Sequence, residues 1–240
     1  MKKIVLLTVI AILAVAAFLA AGPAAEKPRI GVLRFTNHTS AGWWSASVGS
    51  ELSDMLASEL VSTRSFQVLD RKDIDAVLGE QDLSDTDRVD AATKVKMGKL
   101  KGAKYLVAAT VSSFEEGVKG TGGGVSFKGL SVGGKKEKAY IAVDLKVVDT
   151  ETGEIVDSRT IEAQAKGQGL AAGLNLRNFS IHGADYQKTP AGKAIRACVI
   201  YISEYLECSL VRGTDADCMK KWDRMDQKRR ERDKGSIDID

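Results

Sequence analysis

Ala139-Tyr-Ile-Ala-Val-Asp-Leu-Lys-Val-Val148, Asp149-Thr-Glu-Thr-Gly153 and Glu154-Ile-Val-Asp-Ser-Arg-Thr-Ile-Glu-Ala163 read as strand, turn and strand. The two β-rich runs flank a polar cluster ending in Gly153, which makes a good hairpin turn. Upstream, Tyr105 to Phe114 is another long strand. Further back, Arg29 to Phe35 alternates around Ile30, Val32, Leu33 and Phe35 as a first strand. From Trp44 to Val61, apolar residues recur as Trp44, Val48, Leu52, Met55, Leu56 and Leu60, a helix with one buried stripe. Phe66, Val68 and Leu69 form a short strand after it. Arg71 to Gln81 and Asp87 to Leu100 are expected to be helices, parted by the turn-like Leu83-Ser84-Asp85. Downstream, Thr189 caps a helix with Pro190 at its first position. Ala194, Ile195, Cys198, Val199, Ile202, Tyr205 and Leu206 form that helix's buried face. The sum is an α+β domain, a mixed sheet with helices packed on it.

Residues 1–25 read as an export signal: Lys2 and Lys3, then an apolar run from Ile4 to Ala21, then small residues. No Cys lies near its end to accept a lipid. The domain proper is 26–208, and 209–240 is set apart as a charged tail. Setting Lys2 and Lys3 aside leaves 33 of the 35 basic residues, nearly balanced by the 32 acidic ones. Such a balance argues against nucleic acid as a partner. The mixed charges from Arg212 to Asp240 describe a solvated helix or a loose tail. Cys198 and Cys208 share one helix, about 15 Å apart, too far to bridge. Cys208–Cys218 is the disulfide expected in an oxidising compartment, with three free thiols as the alternative.

Two segments do not suit a compact core. The first, 117–138, holds eight glycines. With Lys128-Gly129 as a turn, Phe127 faces Leu130, Ser126 faces Ser131 and Val125 faces Val132. Val125, Phe127, Leu130 and Val132 then share one face and the serines the other. The second segment is 163–185. With Arg177-Asn178 as its turn, Leu170, Ala172, Leu174, Leu176, Phe179 and Ile181 gather on one face, opposite Gly173, Asn175, Ser180 and His182. Each has room for two strands of about 9–11 residues, the length that crosses a bilayer. An apolar-out, polar-in alternation is that of a transmembrane barrel strand. Four strands cannot close a barrel, and lipid does not tolerate open strand edges. Membrane insertion therefore requires several copies pooling their hairpins.

Catalytic motifs fail on context. Gly129-Leu-Ser-Val-Gly133 matches a nucleophile elbow, but a strand is expected after it where the elbow needs a helix. Gly129 to Lys136 nearly matches a phosphate loop, yet Lys136 stands where Ser or Thr should hold magnesium. His38 and His182 lack metal-ligand spacing. Asp70-Arg71 reads as charge pairing or helix capping, and lysines 94, 96, 99, 101 and 104 as a solvated face. Nothing here calls for a cofactor or an enzyme.

With the hairpins placed, the chain resembles the curli secretion channel family, CsgG, over roughly Arg29 to Leu206. The matching stretches are Arg29-Ile-Gly-Val-Leu-Arg-Phe35, Phe66-Gln-Val-Leu-Asp-Arg71, and Ile141-Ala-Val-Asp-Leu-Lys-Val-Val-Asp149 running into Thr152-Gly-Glu-Ile155. The first two also resemble a periplasmic TolB-type N-terminal fold. The CsgG resemblance implies an outer-membrane homo-oligomeric ring with its main domain in the periplasm. It implies a barrel of two hairpins per subunit, export of unfolded curli-type subunits by diffusion, and a periplasmic accessory plug among the partners. Family members narrow the pore with a loop after the first strand. The matching region is Thr36 to Ser45, so the constriction role would fall on Trp43, Trp44 and Asn37. Family members typically carry a lipid on an N-terminal Cys, which has no counterpart near residue 25. The other function that fits is a periplasmic envelope-assembly scaffold without a pore.

Overall fold

The computed structural model describes residues 26–40, 42, 44–119, 125–127, 130–132, 136–168 and 189–236. Its first strand, β1 (Arg29–Val32), leads through Leu33–Phe35 to the short β2 (Thr36–Asn37). Helix α1 (Ala46–Thr63) and β3 (Gln67–Asp70) follow, and then α2 (Ile74–Ser84). Three long strands form the body of the sheet: β4 (Tyr105–Lys119), β7 (Lys136–Asp149) and β8 (Ile155–Gln168). Between β4 and β7, β5 (Val125–Phe127) pairs with β6 (Leu130–Val132). Helices α3 (Pro190–Leu206) and α4 (Met219–Gly235) close the described chain, joined by a π-helical turn over Glu207–Arg212.

The sheet is mixed, in the order β3-β1-β4-β7-β8 with β2 alongside β4. β1 lies parallel to both β3 and β4, while β7 runs antiparallel to both β4 and β8. Helices α1 and α3 pack together over one face. Between them and the sheet sit Ile30, Val48, Leu52, Leu56, Leu60, Val107, Val147, Ile195 and Ile202, all essentially without solvent contact. The opposite face carries Ser112, Asp144, Thr160 and Glu162 beside its smaller apolar residues. The alternation on β7, with Ile141, Val143, Leu145 and Val147 inward and Asp144 and Lys146 outward, is what period-2 geometry requires of a strand wet on one side.

Helix α1 begins two residues later than the sequence suggests. Ser45 takes the N-cap, its hydroxyl accepting the Val48 N–H at 3.4 Å. Trp44 thus stands before the helix rather than on its stripe. The rest of the stripe is as expected, and Arg64 ends the helix in a left-handed conformation. Helix α3 has the expected Thr189 cap and Pro190 start, and every residue of its expected apolar face is buried.

Two expectations are corrected, and one open alternative is decided. Asp87–Leu100 forms turns, not a helix. The Asp90 carboxylate accepts the Ala92 N–H at 2.9 Å, Thr86 Oγ1 accepts the Arg88 N–H at 3.2 Å, and Gly98 adopts φ +74°. These side chains compete with the helical ladder, and Val95, Met97 and Leu100 find no apolar surface to reward one, each being exposed. The helix expected over Arg71–Gln81 instead starts at Ile74, because the Asp70 carboxylate holds Lys72 and Asp73 N–H groups in a turn at 3.1 and 3.0 Å. That helix runs through Ser84, which is buried and accepts the Val95 N–H at 3.3 Å, so the turn begins only at Asp85. Lastly, of the two readings of the charged segment from Arg212, the helix is the one found, over Met219–Gly235, and the loose tail is set aside. Helix α4 buries Met219 and Trp222, and Trp222 meets the edges of Tyr205 and Tyr201 with centroids 5.6 and 6.1 Å apart.

Gly49 sits where α1 crosses the β1–β2 link, and a Cβ there would stand 2.5 Å from the Phe35 carbonyl oxygen. Helix propensity alone would make Gly49→Ala stabilising by about 1 kcal/mol. The close approach reverses the sign: Gly49→Ala is expected to destabilise by about 1–3 kcal/mol, read as a lower urea midpoint. A raised midpoint would refute the contact. At the β7–β8 turn, Lys104 lies 3.0 Å from Asp149 and 2.7 Å from Glu151. Lys104, and then the Glu151 N–H, hold the Asp149 carboxyl below its ordinary value of 3.8. A lowered folded-state pKa adds stability above the ordinary value and loses it as pH falls through the folded one. Asp149→Asn should therefore be less stable than the parent at neutral pH, and the gap should close in acid. A gap that persists in strong acid would contradict the pairing.

Candidate functional site

The direction of the strands decides what meets what. β1 runs beside Tyr105–Val107 and β2 beside Thr110–Val111, both parallel to β4. The chain thus advances along β4 toward Lys119, and the loop after β2 leaves at that end. β7 returns from Lys136, paired with Lys119, and β8 climbs to Gln168, paired with Lys136. Helix α3 descends from Thr189 antiparallel to β8, its Cys198 thiol 3.7 Å from the Ile161 carbonyl and its Tyr205 hydroxyl 2.6 Å from Asp157. The roots of both candidate hairpins and the candidate constriction loop therefore collect at one end of the sheet. The Asp149–Gly153 turn marks the other.

The two hairpin segments are rooted differently from the boundaries 117–138 and 163–185. Pairing of β4 with β7 runs without a gap from the bulge beside Ser112 to Lys119 and Lys136. Pairing of β7 with β8 likewise passes Ala163 and reaches Gln168. Three core strands simply continue outward as one ribbon. Beyond it, Val125 pairs with Val132, Ser126 with Ser131 and Phe127 with Leu130. Leu130, Ser131 and Val132 of the elbow-like motif form β6, and Lys136 opens β7, so each stands on a strand. Leu170, Leu174, Leu176, Phe179 and Ile181 lie outside the described residues, as does Trp43.

The loop is clamped at both sides. Ser53, buried on α1, lies 2.9 Å from the Leu33 carbonyl and accepts the Phe35 N–H at 3.1 Å. Ser45 caps the helix on the other side. Asn37 bends the loop between them: its Oδ1 accepts from Thr39 N–H at 2.9 Å and Thr39 Oγ1 at 2.7 Å, and its Nδ2 donates to Thr39 O at 3.1 Å. Its amide therefore shapes the turn. Trp44 is half-buried against the core, its ring 3.2 Å from where a Gly49 Cβ would stand. Ser53 escaped the sequence reading because a serine beside an apolar stripe carries no periodic signal. Ser45 had one, as a Ser just ahead of the stripe.

On the polar sheet face, an open groove of about 850 Å³ runs beside the hairpin roots, between the strands and the last turns of α4. Glu162 at its centre accepts from Tyr140 Oη at 2.5 Å and Arg232 at 2.6 Å. Burial, and then Glu162, push the Tyr140 phenol well up. Among the described residues, no group of three or more His, Cys, Asp or Glu side chains could hold a metal ion. No helix among them is long and apolar enough to cross a membrane. What this end of the molecule offers is a paired backbone ribbon and a braced loop.

The model of the family described as curli production assembly/transport component CsgG matches residues 14–237. The chain belongs to that family. CsgG proteins are a transport component, not an enzyme family. CsgG of Escherichia coli K12 is 25% identical over 154 residues, covering 62% of this chain and 53% of that protein. A Neisseria meningitidis serogroup B protein named as a lipoprotein is 32% identical over 149 residues, 62% of this chain and 58% of its own length. The chain spans little more than half the length of these relatives. Among solved structures, the hypothetical protein CT253 from Chlamydia trachomatis covers 76% of this chain and 96% of itself, at 17% identity and a TM-score of 0.48. That likeness is too loose to carry a conclusion.

Removing the Asn37 side chain should free the loop and leave the core alone. Asn37→Ala is expected to cost about 1–2 kcal/mol and to speed amide exchange over residues 38–45 while β4 and β7 keep their protection. Unchanged exchange in that loop would show that Asn37 does not brace it.

Proposed function

We propose that copies of this chain form a homo-oligomeric ring in the outer membrane, domain in the periplasm, and export unfolded curli-like subunits by diffusion. The observation that carries this reading is the shared end: both hairpin roots and the loop after β2 leave the sheet together. Each copy then contributes a four-stranded ribbon, and only pooling closes a barrel without open edges in lipid. In that barrel Val125, Phe127, Leu130, Val132, Leu170, Leu174, Leu176, Phe179 and Ile181 face lipid. Trp43, flanked by Trp44 and Asn37, repeats around the axis as an apolar collar. Asn37 braces that collar and Trp44 seats it, which leaves Trp43 to narrow the opening. A periplasmic accessory protein that plugs the mouth fits the same arrangement. A second reading, an envelope-assembly scaffold without a pore, is favoured by the neisserial relative, which is named only as a lipoprotein and shares more identity than CsgG of Escherichia coli.

Detergent-extracted protein is expected to migrate as a large ring and to conduct ions in planar bilayers. Trp43→Ala should raise the conductance. Leu174→Arg should lose the membrane fraction, an arginine at the bilayer midplane costing about 2–4 kcal/mol. A scaffold would behave otherwise: Leu174→Arg would break partner binding and leave membrane association untouched. Purely soluble, monomeric protein would end the pore reading.

A further inference from the structure

Helix α4 is attached at one end. Its two buried residues, Met219 and Trp222, both lie in its first turn, directly after Cys218. Cys218 is joined to Cys208, itself buried at the end of α3 with the two Cα atoms 6.0 Å apart. From Asp223 onward, ion pairs link α4 to the domain. Arg159 meets Asp223 at 2.9 Å, and Arg232, about half exposed, meets Glu162 at 2.6 Å. The other pairs on this stretch, such as Arg229 with Asp226 and Arg230 with Asp226, stay within the helix. Each of the two links has one exposed partner, Asp223 or Arg232, and is open to screening by salt. The apolar and covalent attachment thus sits within a single turn, while the later turns wall the groove beside the hairpin roots.

That one turn is also open to chemistry. A cleft of about 180 Å³ reaches the disulfide, bordered by Glu204, Glu207, Arg212, Lys221 and Trp222. The third cysteine, Cys198, is buried away from solvent, and burial pushes its thiol far up, so it offers no competing thiolate. We propose that the Cys208–Cys218 disulfide is a redox lock on α4: oxidised, it holds the helix as a strap over the sheet face; reduced, it lets the strap leave while the sheet stays folded. The step is a thiol–disulfide exchange. A dithiol reductant supplies two electrons and two protons, the S–S bond becomes two thiols on Cys208 and Cys218, and the dithiol closes to its own disulfide. Without the bridge, the loop between the two cysteines regains its freedom, and only the Met219 and Trp222 contacts and the two ion pairs hold the strap. This inference does not depend on the pore reading, since it concerns a helix within one copy.

Hydrogen–deuterium exchange on the full chain tests it, with and without dithiothreitol, reduction being verified by alkylation and mass. Exchange over 219–235 should rise by about tenfold or more on reduction, while β4, β7 and α3 keep their protection. The double variant Cys208→Ser/Cys218→Ser should show the fast α4 exchange without reductant and should not respond to it. Trp222→Ala with the bridge intact should speed α4 less than the double variant does. Unchanged α4 exchange after verified reduction would overturn the lock. So would loss of protection across the whole domain together, which would make the bridge a general support of the fold.

Discussion

The antiparallel ladder of β4, β7 and β8 is the constraint from which the rest follows. Backbone N–H and C=O groups must be paired wherever water is scarce, and these strands keep their pairing from the Asp149 turn to Lys119, Lys136 and Gln168. Inside the domain, that ladder is covered on one face by α1 and α3. Past the covering helices it continues as far as Lys119, Lys136 and Gln168. A ribbon leaving a domain in this way must find neighbours for its edges, in solution or in lipid. Its direction also places the rest. Because β2 lies parallel to β4, the loop after it cannot emerge anywhere but the ribbon end.

Much of this was legible in the residues, for reasons that differ by element. Period-2 alternation pinned the pairing of Val125 with Val132 and Phe127 with Leu130, since a slip by one residue would exchange the faces. The α1 and α3 stripes were legible because Val48, Leu52, Leu56 and Leu60, or Ile195, Cys198, Ile202 and Tyr205, recur at helical spacing and all face one core. The Asp87–Leu100 segment misled because its helix-forming lysines and alanines outvote, in any propensity count, the single Asp90 and Thr86 turns that decide it. Helix α4 was legible as a helix but not as a docked one: the charge along its seventeen residues hides two, Met219 and Trp222, that dock it.

The loop after β2 shows where sequence reasoning reaches its limit. The resemblance to CsgG assigns a constriction to this loop, and the structure describes Trp44 and Asn37 of it. Trp44 leans on the core where Gly49 leaves room for its ring, while the Asn37 amide is consumed by the turn at Thr39. Neither fact has a periodic signature. Beside them Ser53, a buried hydroxyl, ties the helix to the strand link from which the loop departs. The start of the loop is thus braced by polar contacts within a few residues of it.

Two ends of one sheet therefore carry different kinds of order. At the ribbon end, order is backbone pairing, which passes from core to excursion without regard to side chains and so tolerates glycine. At the other end, Asp157 takes the Tyr205 hydroxyl at 2.6 Å and also meets Ser209, while Arg159 stacks over the Tyr205 ring at 5.0 Å. That network is specific to its side chains and anchors the base of α3 just where the disulfide begins. Placing side-chain specificity there, far from the ribbon, leaves the ribbon free to adapt to whatever it pairs with. A domain built for the reverse would have fixed the excursions and left its helices loose.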